Sequence, residues 1–182
     1  RTEYTFIEIT STASVDFTKI NRFDWFPSAH FSYSFDNENQ ILLSYSRRIK
    51  RPRSYFFEPF ITWESPYNVR TGNPNLLPEY IGAFELSFIK PINKKGFFSL
   101  EAYFRSSTNS IERLTFVYEP GILISQPYNI GTSNSFGTEA SFNYKIKDWW
   151  KINAGVNGYM FNLCGNLNDV EYNVNSINYN GR

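Results

Sequence analysis

From Phe97 to Arg105 the chain alternates. Phe98, Leu100, Ala102 and Phe104 fall on one side of an extended backbone, and Ser99, Glu101, Tyr103 and Arg105 fall on the other. The same period of two runs through 81–89, where Phe84, Leu86 and Phe88 oppose Ala83, Glu85 and Ser87. It recurs at 28–36, with Ala29, Phe31, Tyr33 and Phe35 against His30, Ser32, Ser34 and Asp36. Residues 40–48 follow it with Leu42 as the exception, and 136–146 and 150–161 follow it again. These segments predict strands, and weaker signals add strands at 2–10, 111–118, 122–126 and 172–180. No segment shows an amphipathic helical period, so the expected class is all-β and antiparallel.

The connections separate into two kinds. Those at 37–39, 90–96 and 147–149 are short, whereas 49–79, 106–135 and 162–171 are long, the second with a hairpin tip at Glu119-Pro-Gly121. Short turns on one rim, long connections on the other and strands of about ten residues make the layout of a membrane β-barrel. The competing expectation is a soluble antiparallel sheet with one wet face. Three features favour the membrane: a Phe- and Tyr-rich apolar face, a polar face carrying Ser, Asn, Glu and Gly, and Trp149-Trp150 at a tight turn, where they fit an interfacial aromatic girdle.

Composition sharpens this picture. Of 182 residues, 19% are aromatic, more than a Leu- and Val-based soluble core would need, and these aromatics stand beside many hydroxyl and amide side chains. No apolar run reaches the length of about 18 residues that a membrane helix needs, but a membrane strand needs only about 9 to 11. A net charge of +1 gives no global field for nucleic acid. One histidine, His30, rules out a histidine metal cage, and the one cysteine, Cys164, cannot form an intrachain disulfide. Glu85 and Glu101 share the polar face with Arg105, which reads as wall electrostatics rather than an acid–base pair. No catalytic residue, metal or cofactor is expected. The chain starts directly in a strand-like run without a signal peptide, the expectation for a piece of something longer.

A series of short motifs carries a family resemblance. Phe26-Pro-Ser28, Ser32-Tyr-Ser34, Leu43-Ser-Tyr-Ser-Arg-Arg48, Arg51-Pro52, Pro59-Phe60, Pro66-Tyr67, Gly72-Asn-Pro-Asn-Leu76 and Pro78-Glu-Tyr80 resemble the barrel of TonB-dependent outer-membrane receptors. The likeness is to the outer-membrane β-barrel branch abundant in Bacteroidetes-type bacteria. It continues through Phe84-Glu-Leu86, Ile111-Glu-Arg113, Asn129-Ile-Gly131 and Ser135-Phe-Gly-Thr-Glu139 to Trp149-Trp150. Leu77 stands where such sequences commonly have Lys.

The resemblance implies a barrel of about 22 strands closed around a plug, of which this chain supplies roughly eight to ten from a late portion. It includes no plug, and Tyr179-Asn-Gly-Arg182 does not read as a closing strand. An open sheet edge cannot stay unpaired in hydrocarbon, so the piece needs flanking strands or another packing. The intact protein would capture a scarce solute (siderophore, haem, oligosaccharide or peptide) and import it across the cell outer membrane without covalent chemistry. Its partners would be membrane lipid and lipopolysaccharide, its own plug, TonB and a surface lipoprotein.

Residues 49–79 would be a long external-side loop. Pro52, which lacks a ladder donor, and Pro78, which holds Leu77 extended, would bound it. Gly72, Asn73, Pro74, Pro78, Glu79 and Tyr80 are its scaffold motif. Arg47, Arg48, Lys50, Arg51 and Arg53 would meet acidic plug residues, an anionic ligand or lipopolysaccharide, or simply form a solvated rim. Phe56, Phe57, Phe60, Trp63 and Tyr67 would either contact the solute or pack the loop on itself. The alternatives are a receptor-like barrel for adhesion, signalling or secretion, and a soluble carbohydrate-binding β-sandwich.

Overall fold

The computed structural model describes residues 2–9, 18–167 and 170–182, and among them no α-helix occurs. The strands are β1 (Thr2–Ile9), β2 (Thr18–Trp25), β3 (Ser28–Ser34), β4 (Gln40–Lys50), β5 (Thr62–Ser65), β6 (Asn68–Arg70), β7 (Glu79–Ile92), β8 (Gly96–Glu119), β9 (Ile122–Lys147), β10 (Trp150–Leu167) and β11 (Val170–Gly181). Single turns of 3-10 helix occupy Ser54–Phe56 and Asn93–Lys95. The chain divides into two units. The wall unit comprises Ser28–Arg47, Ile81–Thr108 and Gly131–Arg182; the other takes in β1, β2, Arg48–Tyr80 and Asn109–Ile130.

In the wall unit the strand order is β11-β10-β9-β8-β7-β4-β3. Antiparallel register puts side chains of one character on one face. Phe31 pairs with Leu43, Tyr33 with Ile41 and Ala29 with Tyr45. On β9 and β10, Tyr144 pairs with Ile152, Phe142 with Ala154, Ala140 with Val156 and Phe136 with Met160. Met160 pairs in turn with Ile177. The Tyr45 and Phe84 rings, 4.5 Å apart, carry the same face onto β7. These side chains are uncovered: Phe31 is 61% exposed, Val156 57% and Met160 58%. A sandwich would bury this face under a second sheet. The bare apolar face therefore opposes the soluble expectation.

The apolar run has a definite end. Past Phe136, Met160 and Ile177 the same face carries Asn134, Asn162 and Asn175 in register, then Thr132, Cys164 and Asn173. The amides bridge the strands: Asn162 Nδ2 donates to Asn175 Oδ1 at 2.7 Å, and Asn175 Nδ2 to Asn173 Oδ1 at 3.2 Å. From Ile152 to Met160 the band runs nine residues along β10, within the length of about 9 to 11 that a membrane strand needs for one crossing.

The opposite face is polar and internally paired. Ser44 Oγ donates to Glu85 at 3.3 Å, and Glu85 meets Arg105 at 3.6 Å. The Arg105 guanidinium also lies 5.0 Å from the centre of the Tyr103 ring. Ser87 Oγ donates to Glu101 at 3.1 Å. Glu85 and Glu101 thus have separate partners, as wall electrostatics requires.

Several expected connections are strand instead. Within the expected connection 106–135, the strands expected at 111–118 and 122–126 are the continuation of β8 and β9 around the Glu119-Pro-Gly121 tip, and 162–167 continues β10. Residues 168–169 of the expected 162–171 connection lie outside the described residues, as does residue 10 of the expected first strand. Strands of 24 and 26 residues are more than twice the length of about 9 to 11 that one crossing needs. Polar Ser, Thr and Asn on both faces hid this continuity, because outside hydrocarbon no face needs to be apolar. Tyr179, Asn180 and Gly181 are also strand, in register with β10. The sequence reading missed β2, which pairs along its length with β1.

The face assignment is tested by two substitutions on β10. Val156→Arg places a charge in the middle of the apolar band and is expected to cost about 2–4 kcal/mol of stability in lipid. Asn157→Lys, on the polar face, should cost less than about 1 kcal/mol. Urea titration of the protein folded into vesicles measures both, and equal losses would mean that the faces are assigned wrongly.

Candidate functional site

Residues 51–78, expected as an irregular loop, are a folded strap. After Lys50 the chain turns through Ser54–Phe56, then forms the β5–β6 hairpin. β6 continues as a parallel partner of β9, with Val69 opposite Ile124. Two backbone bonds frame that pairing: Leu123 N–H donates to the Tyr67 carbonyl at 2.8 Å and Thr71 N–H to the Ser125 carbonyl at 3.0 Å. Val69 (0% exposed), Leu76 (1%) and Ile130 (2%) are the most deeply buried apolar side chains among the described residues. Each contributes roughly 1.5–3 kcal/mol of burial free energy. Strands of four and three residues are too short to show an alternating signature, which is why β5 and β6 escaped the sequence reading.

The scaffold motif closes the strap. Gly72 donates its N–H to the Glu58 carbonyl at 2.7 Å, and Asn73 donates its own to the Phe56 carbonyl at 2.6 Å. A Cβ on Gly72 would stand 2.5 Å from the Glu58 carbonyl oxygen, so only glycine admits this approach. The Asn73 side chain accepts from Asn75 N–H at 3.0 Å and donates to the Pro127 carbonyl at 3.2 Å. Pro74 lies in the turn so formed, and Pro78 is buried with its carbonyl accepting from Asn109 Nδ2 at 3.4 Å. Glu79 is 5% exposed and bonded to Lys50 Nζ at 2.8 Å. That contact meets the requirement that a buried carboxylate be paired. Tyr80 donates its hydroxyl to Asp24 of β2.

Two residues outside the motif do as much. Asn129 accepts from Leu77 N–H at 2.8 Å and donates to the Leu77 and Asn109 carbonyls, each at 2.9 Å. Gln126 Nε2 donates to the Gly72 carbonyl at 2.8 Å and is itself held by the Tyr128 hydroxyl at 2.6 Å. Asn129 was flagged in the sequence only as part of Asn129-Ile-Gly131; nothing in the sequence pointed to Gln126. Both reach across more than 50 positions of chain, a relation that local pattern cannot contain.

The basic cluster is partly spent inside the fold. Arg51 pairs with Glu3, Lys50 with Glu79, and Arg53 donates to the Tyr55 hydroxyl at 3.4 Å. Arg47 and Arg48 are exposed near the end of β4, and Pro52 is half-buried just beyond it. The aromatic candidates separate into two groups. Phe56 packs edge-on against Tyr55 at 4.7 Å and lies under the Arg113 guanidinium at 5.6 Å, and Phe57 is half-buried. Phe60, Trp63 and Tyr67 are 54%, 58% and 70% exposed. The cleft beneath, lined by Tyr55, Phe56, Arg70, Gly72 and Arg113, offers about 10 Å³, on the order of one water. A solute larger than water would therefore meet the outer aromatics and not the interior. Trp149 and Trp150 stack at 6.0 Å on the β9–β10 turn.

The chain matches the model of the outer membrane protein beta-barrel family over residues 1–182. No curated protein matches it. Among solved structures, it is similar to the siderophore receptor PirA from Pseudomonas aeruginosa, with a TM-score of 0.66 at 17% identity. The match covers 87% of this chain and 34% of the receptor, so the chain spans about a third of that protein's length. At this identity the likeness is one of fold.

The lock is tested by hydrogen exchange. Asn129→Ala should speed exchange of the Leu77 amide about tenfold, the loss of one hydrogen bond worth roughly 1.4 kcal/mol. Gly72→Ala should open the whole strap at a cost on the order of 3 kcal/mol. Trp63→Ala should leave both segments protected. Unchanged protection in Gly72→Ala would show that the strap is held by something else.

Proposed function

Because this chain belongs to the outer membrane protein beta-barrel family, we propose that the protein it comes from is an outer-membrane receptor that imports a scarce solute. The observations that carry this reading are the bare apolar face of the wall unit and, in the other unit, a folded strap that presents exposed aromatics. The band anchors a wall in hydrocarbon. The strap gives Phe60, Trp63 and Tyr67 fixed positions, which lowers the ordering cost of binding. Their flat faces suit a siderophore, haem, sugar or aromatic peptide.

In this proposal residues 1–182 are a late part of the barrel, and the strap lies on the external side. The open edges of β3 and β11 pair with further strands, since unpaired backbone in hydrocarbon costs several kcal/mol per group. The polar face looks onto a plug, TonB drives the plug's movement, and a surface lipoprotein assists capture. Lipopolysaccharide meets the exposed arginines Arg47 and Arg48 at the outer margin. The chain contributes positioning and no covalent step.

The test uses cells that depend on the intact protein for one solute. Uptake should stop when the inner-membrane TonB system is removed. Trp63→Ala with Tyr67→Ala should weaken solute binding about tenfold or more while barrel folding, read by heat-modifiable gel mobility, stays unchanged. Solute binding that persists with no uptake under any energised condition would favour adhesion or signalling instead.

A further inference from the structure

The short-turn end of the wall unit holds a feature that solute capture does not use. The β7–β8 and β9–β10 turns lie at the same end of the sheet, on strands that follow one another in the order β7-β8-β9-β10. They are close neighbours, because Gly96 at the start of β8 backs directly onto the Asn143 carbonyl of β9. Lys90 stands near the end of β7 and Lys94 and Lys95 in the turn after it, all exposed; Lys147 ends β9 beside Trp149 and Trp150. Trp149 is 79% exposed, and the Lys147 ammonium lies 5.7 Å from the centre of its ring. The one acid in these turns, Asp148, is held by Lys145 at 2.6 Å. Asp36 and Glu38 belong to the next turn, between β3 and β4.

Depth gives these groups meaning. The apolar band begins at Tyr144 and Ile152, immediately next to the tryptophan pair. The indoles therefore stand at the hydrocarbon margin, with Lys147 in register beside Trp150 and Lys94 and Lys95 in the neighbouring turn, where lipid head groups lie. On β9, β10 and β11 the other margin of the band presents the neutral amides of Asn134, Asn162 and Asn175, whereas at that end of β4 Arg47 and Arg48 are exposed.

We infer that the Lys90/Lys94/Lys95/Lys147 rim, with Trp149 and Trp150, is a docking surface for the head groups of anionic phospholipid. It rests on the membrane reading but not on the identity of any solute. The ammonium groups pair with lipid phosphates while the stacked indoles occupy the interface, so the rim fixes the depth of the wall at its short-turn margin.

The experiment reconstitutes the intact protein into nanodiscs of equal phosphatidylglycerol and phosphatidylcholine with matched chains, and counts retained lipids by native mass spectrometry after partial delipidation. Phosphatidylglycerol should be enriched roughly fivefold over phosphatidylcholine. The variant Lys90→Gln/Lys94→Gln/Lys95→Gln should bring that ratio to about one. Lys151→Gln, at the same end but in register with Lys145 on the polar face, should keep it. Should the triple variant fail to fold, the wild-type ratio is read at about 1 M salt, where screening should abolish it. Equal retention of the two lipids in wild type, loss of preference in Lys151→Gln, or preferential retention of added lipopolysaccharide overturns the rim. Failure to enter nanodiscs at all overturns the membrane reading beneath it.

Discussion

Backbone hydrogen bonding without water is the constraint on which the wall depends. In hydrocarbon every N–H and C=O must find a partner in the chain, and a strand can find one only on its neighbours. Side chains are then free to take two characters, because alternate residues point to opposite faces. The wall uses both: Phe31, Leu43, Phe142 and Met160 on one side, Glu85, Glu101 and Arg105 on the other. A slip of one residue would place Glu139 and Asn157, paired across β9 and β10, among lipid tails. The register is therefore fixed by the faces as strongly as by the turns.

Beyond the apolar band the governing physics changes. Asn134, Asn162 and Asn175 mark a level at which water can satisfy the backbone, so the chain gains the freedom to leave the ladder. In the other unit, the strap that follows Lys50 is held as a soluble protein would be held. Leu76, Val69 and Ile130 are buried, and glycine permits a close backbone approach at Gly72. Side-chain amides of Asn73, Asn129 and Gln126 satisfy carbonyls that no strand reaches. Positive backbone angles at Asn109 (φ 56°) and Gly131 (φ 139°) fall where β8 and β9 pass from one unit to the other. Asparagine and glycine are the residues that tolerate such angles.

This division explains how the candidate site is built. A recognition surface needs exposed aromatic area, which by itself would collapse or aggregate. Anchoring Phe56 under Arg113 and closing the strap with the glycine-asparagine turn leaves Phe60, Trp63 and Tyr67 outside on a fixed base. The basic residues that looked available in sequence are partly engaged inside the fold. Arg51 and Lys50 spend their charge on Glu3 and Glu79, so the strap's field is weaker than its count of basic residues implies.

The alternation of Phe98, Leu100, Ala102 and Phe104, and its counterparts on the other wall strands, determined by itself that this chain is an antiparallel sheet with one lipid-type face, because that face is imposed locally, residue by residue. The short turns and the Glu119-Pro-Gly121 tip were legible for the same reason. The glycine, asparagine and proline residues of 72–78 announced a special turn without showing what it closed. Only the tertiary structure decided that the strands expected at 111–118 and 122–126 are continuous with β8 and β9, that 51–78 is a folded strap, and that Asn129 and Gln126 hold it. Each of those facts rests on contacts between residues far apart in the chain, and outside hydrocarbon no periodic demand on the side chains records them in sequence.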